Sequence, residues 1–324
     1  MKSLTLSLAL SAILASIAPL TQAQTEPWPT KPIKIVVPFG AGSFTDTAAR
    51  TIGAEIAKEL GQPVIVENKG GAGSTLGTDQ VAKSAPDGYT FLLTDNSFAV
   101  SAALYRSLPY NPDKDITQVS LVADAPAVMV GRPKLPANNL KEVVDLAKKE
   151  PGKLTFGSGG QGSSAHLAME SFLLQNKLNL NHIPFKGIAP ALVDVAADRV
   201  DIAIGSVGTT GAYIKDGRLK GLAVSGTERH PMFPNVPTFA QAGYPDYKMM
   251  YLFGVMAPAG TPKPIVEKMQ AAISKAIKTE KVQSVFSAAG VQAKATTPAQ
   301  YAKLVQDEIN QWRDVIKRAN VKVN

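Results

Sequence analysis

The chain has no cysteine, only three histidines and two tryptophans, and 19% charged residues, against roughly 25% in an average domain. Without cysteine there is neither a disulfide nor a thiolate metal site. His166, His182 and His230 show no ligand spacing such as H-x-x-x-H, so a histidine-held metal is not expected either. No glycine run is followed by Gly-Lys-Ser/Thr, which excludes a Walker loop, and no G-x-S-x-G occurs, which removes the nucleophile elbow. The apolar run from Leu4 to Ile17 is shorter than the ~20 residues a spanning helix needs.

That run instead fits an export signal. Lys2 supplies the positive start and Thr21-Gln22-Ala23 the small-residue cleavage site, so residues 1–23 are expected to be removed and the mature chain to be periplasmic. The formal net charge is +8. Acids interleave with the bases, as in KEVVDLAKKEPGK and EINQWRDVIKR, which reads as a solvated surface and not as a nucleic-acid partner.

Short β-branched runs alternate with amphipathic segments. IKIVVPF, DTAARTIGAEIAKEL, PVIVEN, STLGTDQVAKSA and YTFLLTD form a first βαβαβ series, and a second runs from KLTFGS through HIPF and VDIAIGS to LKGLAVSG. The pattern predicts an α/β fold of two lobes, each a mainly parallel sheet flanked by helices, joined by hinge segments near 120–130 and 220–228. Domain 1 is expected over 24–123 plus 226–324, and domain 2 over 124–225. The C-terminal third reads as mainly helical. Helices start at Thr261-Pro262 and at the capping sequence Thr297-Pro298-Ala299-Gln300, and should pack back on the first lobe.

Gly157, Gly159 and Gly162 in FGSGGQGSSAHLAMES have the G-x-G-x-x-G spacing of dinucleotide loops. A nucleotide site also needs an acid at the end of the next strand, and HIPFKG ends in Lys186. What stands out is a repeated theme. PFGAGSFTD, GGAGSTLG and GSGGQGSS each join a strand to a helix and are rich in Gly, Ser and Thr without Lys or Arg. Glycines admit close backbone approach, and helix starts offer unpaired N–H donors that attract anions. One such end contributes ~0.3–1 kcal/mol when exposed, whereas a micromolar site needs about 8 kcal/mol. Several ends closing together on a small anion are therefore required.

VPFGAGSFTDTAAR, VENKGGAGSTLGTDQVAKSAPDGYTFLL, FGSGGQGSSAHLAMESF, HIPFKGIAPALVDV, GRLKGLAVSGTERHPMFPNVPTFAQAGYPDY and FGVMAPAGTPKPIVEKM together resemble the Bug family, the periplasmic solute receptors of tripartite tricarboxylate transporters. The resemblance implies a fold like type II periplasmic binding proteins, no enzymatic activity and no cofactor. It also implies a small carboxylate ligand caught by lobe closure, delivery to an inner-membrane permease, and a monomer. Carried over, the ligand contacts are Phe39, Gly40, Ala41, Gly42, Thr45 and Asp46 in the first loop. Ser158, Gly159, Gly162, Ser163 and His166 belong to the opposing loop, Gly71, Ala72 and Gly73 flank the cleft, and Lys186 and Gly187 form a turn.

The first loop departs from the family pattern, with Ser43 where a second glycine usually stands, followed by Phe44. Phe44 is read as sitting over the cleft, where it would favour an aromatic or apolar-bodied carboxylate, or else as pointing outward. Gly205 stands where relatives often carry a larger polar residue, which would enlarge the pocket. Asp46 is read as a helix-capping acid, or alternatively as the partner of a ligand ammonium. His166 is read as steadying its loop. A receptor for a membrane sensor and an enzyme on the same fold are the alternative functions.

Overall fold

The computed structural model describes residues 28–319, so the expected export signal lies outside the described residues. The first lobe opens with β1 (Ile33–Val37), α1 (Phe44–Leu60), β2 (Val64–Asn68), α2 (Thr75–Ala82), β3 (Thr90–Thr94) and α3 (Ser97–Leu104). β1 pairs in parallel with β2 on one side and β3 on the other. Ile33, Ile35, Val36 and Val37 are fully buried, as expected of a strand covered by helices, and Lys34 is the one half-buried residue. α1 begins at Ser43, whose Oγ accepts from Asp46 N, and stops at Gly61, which adopts the left-handed conformation that closes a helix.

The chain then crosses in one sixteen-residue strand, β4 (Ile116–Gly131). The second lobe follows with α4 (Leu140–Lys149), β5 (Thr155–Ser158), α5 (Ser164–Asn176), β6 (Asn181–Pro184), α6 (Ile188–Ala196), β7 (Ile202–Ser206), α7 (Val207–Lys215) and β8 (Lys220–Val224). β5 pairs in parallel with β6 and β7, repeating the arrangement of the first lobe. The chain returns through β9 (Met250–Pro258), α8 (Lys263–Ala276), α9 (Glu280–Ala288), β10 (Gln292–Ala293) and α10 (Pro298–Ala319).

The two-lobe α/β architecture is thus present, and each sheet is mixed. β9 lies antiparallel between β3 and the first part of β4, while the last part of β4 lies antiparallel between β7 and β8. β4 exchanges partners at Pro126, opposite Met250, and Ala127, opposite Ser206. In the segment 220–228, residues Lys220–Val224 form β8 and are still paired to β4 in the second lobe. Ser225 locks it to the first crossing, its N–H donating to Ala127 O at 2.7 Å and its Oγ accepting from Ala127 N at 2.8 Å.

β9 is the main element that the helical reading of the C-terminal third passes over. MYLFGVMAP is buried along nearly its whole length, so no alternation marks it as a strand. The short helices α3, α7 and α9, of 8, 9 and 9 residues, are likewise outside that pattern. α10 begins as its capping sequence predicts, with Thr297 Oγ1 accepting from Gln300 N and Gln300 Oε1 accepting from Thr297 N. It packs on α3 and β4 of the first lobe, and also on α5 of the second.

Candidate functional site

Four helices start at the carboxyl ends of strands that face the cleft between the lobes. α1 and α3 belong to the first lobe, and α5 and α7 to the second. α1 and α5 carry the same cap in their opening turns. Ser43 Oγ accepts from Asp46 N at 3.2 Å, and Ser163 Oγ accepts from His166 N at 3.2 Å. The first residue of each helix is bonded across the cleft: Phe44 N donates to Thr209 Oγ1 at 3.0 Å and Ser164 N to Ser97 Oγ at 2.9 Å. The second amides, those of Thr45 and Ala165, find no acceptor among the described residues.

Thr45 and Ala165 line one small cavity, together with Ser43, Ser163, Ser164 and Gly159. Phe39, Ile188, Phe253 and Tyr251 supply its apolar walls, and Asp95, Ser206 and Thr209 complete it. Its volume is about 20 Å³, room for about one water. The lobes are therefore closed. A Cβ on Gly73 would lie 2.3 Å from Gln161 O, and one on Gly70 would lie 3.2 Å from both Gly40 N and Lys186 O. Tyr105 Oη donates to Gln161 O at 3.1 Å beside these contacts.

Of the residues expected at the site, Phe39, Ser43, Thr45, Gly159 and Ser163 line the cavity. Gly40, Lys186 and Gly187 do not line it but meet one another across the lobes, where a Cβ on Gly187 would sit 3.5 Å from Gly40 N. Ala41 and Gly42 are exposed. Gly42 takes the positive φ of the first loop, +86°, whereas Ser43 has an ordinary φ of −74°. The departure from glycine at position 43 therefore carries no backbone strain. Gly71, Ala72 and Gly73 form a left-handed stretch pressed against the opposing loop, Gly162 included, and do not line the cavity.

Three expectations are corrected. Phe44 neither covers the cleft nor points outward. Its ring is 1% exposed and packs edge-on against Phe253 and Phe286, with centroids 4.9 and 5.0 Å away. Gly205 adds no pocket volume, because Thr210 and Ile188 fill the space above it. Ser158 does not face the cavity; its Oγ accepts from Gly160 N and lies 2.6 Å from His182 Nε2. Asp46 has the geometry of the capping reading. Burial raises its pKa, but hydrogen bonds from Arg50, Asn68 and Gly42 outweigh that and hold it below the usual carboxylate value.

The chain matches the tripartite tricarboxylate transporter family receptor over residues 48–321. It belongs to that family. It is 38% identical over 311 residues to protein BugT of Bordetella pertussis, covering 95% of each chain. The structure of the periplasmic binding protein BugD superposes with a TM-score of 0.88 at 34% identity, covering 91% of this chain and 99% of the other. MatC from Rhodopseudomonas palustris with bound malate superposes with a TM-score of 0.86 at 34% identity, covering 89% and 99%.

Beneath the second jaw of this receptor, Phe156, His182 and His166 form a stack. His166 Nδ1 accepts from Gly162 N at 3.3 Å and so braces the loop ahead of α5. Burial depresses the pKa of His166 to about 3, with a contribution from His182, and that of His182 to about 4. Both rings are neutral at ordinary pH.

Sequence reading missed Asp95, Ser164, Ser206, Thr209 and Tyr251. Asp95 follows the last residue of β3 and Ser206 ends β7, each just ahead of a helix as the glycine-rich loops are, but TDNS carries no glycine to draw attention. Tyr251 reaches the cavity only because β9 lies beside β3.

Proposed function

We propose that the receptor captures a small carboxylate between its lobes and delivers it to an inner-membrane permease, acting as a periplasmic solute-binding protein without turnover. One observation carries the reading: α1 and α5 aim opposed starts at one cavity, and the second amide of each has no acceptor among the described residues. Two partial positive charges and two free N–H groups from different lobes suit an anion, and they meet it together only when the lobes close. Contacts of Phe39, Gly40, Ser43, Thr45, Gly159, Ser163 and the Lys186-Gly187 turn with the ligand belong to this reading. The malate held by MatC supports a carboxylate as the class.

The cavity holds about one water, so a ligand enters only when the lobes part. The shared β4 and the Ala127–Ser225 lock support a pivot where the two crossings are bonded together. Closure follows because the ligand binds the closed form better than the open one. The non-enzymatic assignment is supported by the setting of the close serine–histidine pair Ser158 and His182. Ser158 and His182 lie within bonding distance, but Ser158 is fully buried outside the cavity, and no carboxylate among the described residues bonds to His182.

The test is a panel of mono-, di- and tricarboxylates read by thermal shift and by small-angle scattering. At least one should raise the melting temperature and shrink the radius of gyration. A panel with neither response rejects the reading.

A further inference from the structure

The same cavity contains a carboxyl and a phenol for which anion capture has no use. Asp95, just past the end of β3, accepts from Ser97 N on Oδ1 at 2.8 Å and from Ser164 Oγ on Oδ2 at 3.0 Å. A carboxylate offers about four acceptor positions, and Ser97 and Ser164 fill only part of them. Tyr251, on β9, is 3% exposed, and its Oη has no hydrogen-bond partner among the described residues. Both residues line the cavity, and no Lys or Arg does.

A buried phenol left unpaired is unfavourable and calls for a reason, and at the wall of a cavity a ligand group can supply the missing partner. Burial holds the Tyr251 phenol far above its usual range, so it is a neutral O–H that both donates and accepts. Burial raises the pKa of Asp95 against the hydrogen bonds it accepts from Ser97 and Ser164, and a purely anionic ligand would add like charge to the same effect. A ligand that carries a donor beside its carboxylate would fill the remaining positions of Asp95 and engage Tyr251 Oη as well.

We propose that Asp95 and Tyr251 form a second subsite that takes a hydrogen-bond-donating substituent, a hydroxyl or a protonated amine, on the carboxylate ligand. This rests on the carboxylate reading above. It adds a determinant of specificity: the receptor selects substituted carboxylates over their unsubstituted parents.

The experiment starts from the carbon skeleton that stabilises the protein most in the panel. Titration calorimetry then compares the parent acid with its hydroxyl and amino derivatives, for example succinate, malate and aspartate. A substituted acid should bind at least tenfold tighter than its parent. Tyr251→Phe should reduce that preference about fivefold, the worth of one ordinary hydrogen bond, while the melting temperature of the free protein holds or rises because an unpaired buried hydroxyl is gone.

Asp95→Asn separates the two substituents. Its amide oxygen still accepts from a hydroxyl, so a hydroxyl preference survives within a few-fold, whereas an amine preference falls more than tenfold. Equal binding of parent and derivatives, or a preference that neither variant alters, overturns the subsite and leaves carboxylate capture standing. No response to any carboxylate overturns both.

Discussion

The imidazoles of His166 and His182 lie face to face, 4.1 Å between centroids and 17° from parallel, directly under the loop that forms the second jaw. His166 Nδ1 bonds to the backbone of that loop at Gly162, and His182 Nε2 meets Ser158 at its start. Neutral rings stack in this way, and protonated ones repel. The folded pKa values, about 3 and about 4, lie below the unfolded value of 6.5.

The folded state therefore resists protonation at both rings. Their stabilising contribution is complete above pH 6.5 and is lost as the pH falls through the range down to about 4 and about 3. Melting temperatures measured between pH 7 and pH 4 should fall, and His182→Phe, which keeps a stacking ring, should fall less. A variant with the same pH slope as the natural chain would refute a role for His182.

Gly73 should govern closure. It has φ +61°, and an added Cβ would stand 2.3 Å from Gln161 O, across the cleft. Gly73→Ala should cost roughly 1 kcal/mol through its backbone conformation and, in addition, keep the lobes from meeting, so that affinity drops at least tenfold and scattering shows no compaction. Gly217→Ala is the control, since Gly217 has φ +69° with nothing within 4 Å. It should lose similar stability and still close. Normal closure by Gly73→Ala would contradict the contact.

Phe44 should matter for folding and not for ligand choice. Its ring fills a space bounded by Phe253, Phe286 and Gly208. Phe44→Ala should cost about 3–5 kcal/mol in urea unfolding, and Phe44→Leu less. The order of affinities over a carboxylate panel should be the same for Phe44→Leu as for the natural chain. A reordered panel would return Phe44 to the binding surface.

Asp46 should behave as a cap. Its carboxylate takes Gly42 N, Asn68 Nδ2 and Arg50 around the start of α1. Because its folded pKa is below 3.8, its contribution is present above that value and is lost as the pH falls beneath it. Asp46→Ala should lower stability at pH 7 by about 1–2 kcal/mol. It should leave the ratio of affinities for amino and non-amino carboxylates unchanged, which calorimetry reads directly.

Much of this protein is local in origin, and so was legible in its residues. Short, largely apolar runs such as IKIVV and TFLLT form strands, and Ser43, Ser163 and Thr297 mark helix starts because a hydroxyl three residues from an amide caps it wherever the chain goes. Two α/β series and an anion-binding theme followed from that. Which helix starts share a cavity is not local. Thr45 and Ala165 face one space because β4 joins two sheets and the lobes fold together along it. Tyr251 comes beside Asp95 because β9, a strand with no alternation to announce it, inserts next to β3. Phe44 turned inward because the aromatic space offered by Phe253 and Phe286 lies more than 200 residues away in sequence, and burying a ring there outweighs any preference its neighbours in the loop express.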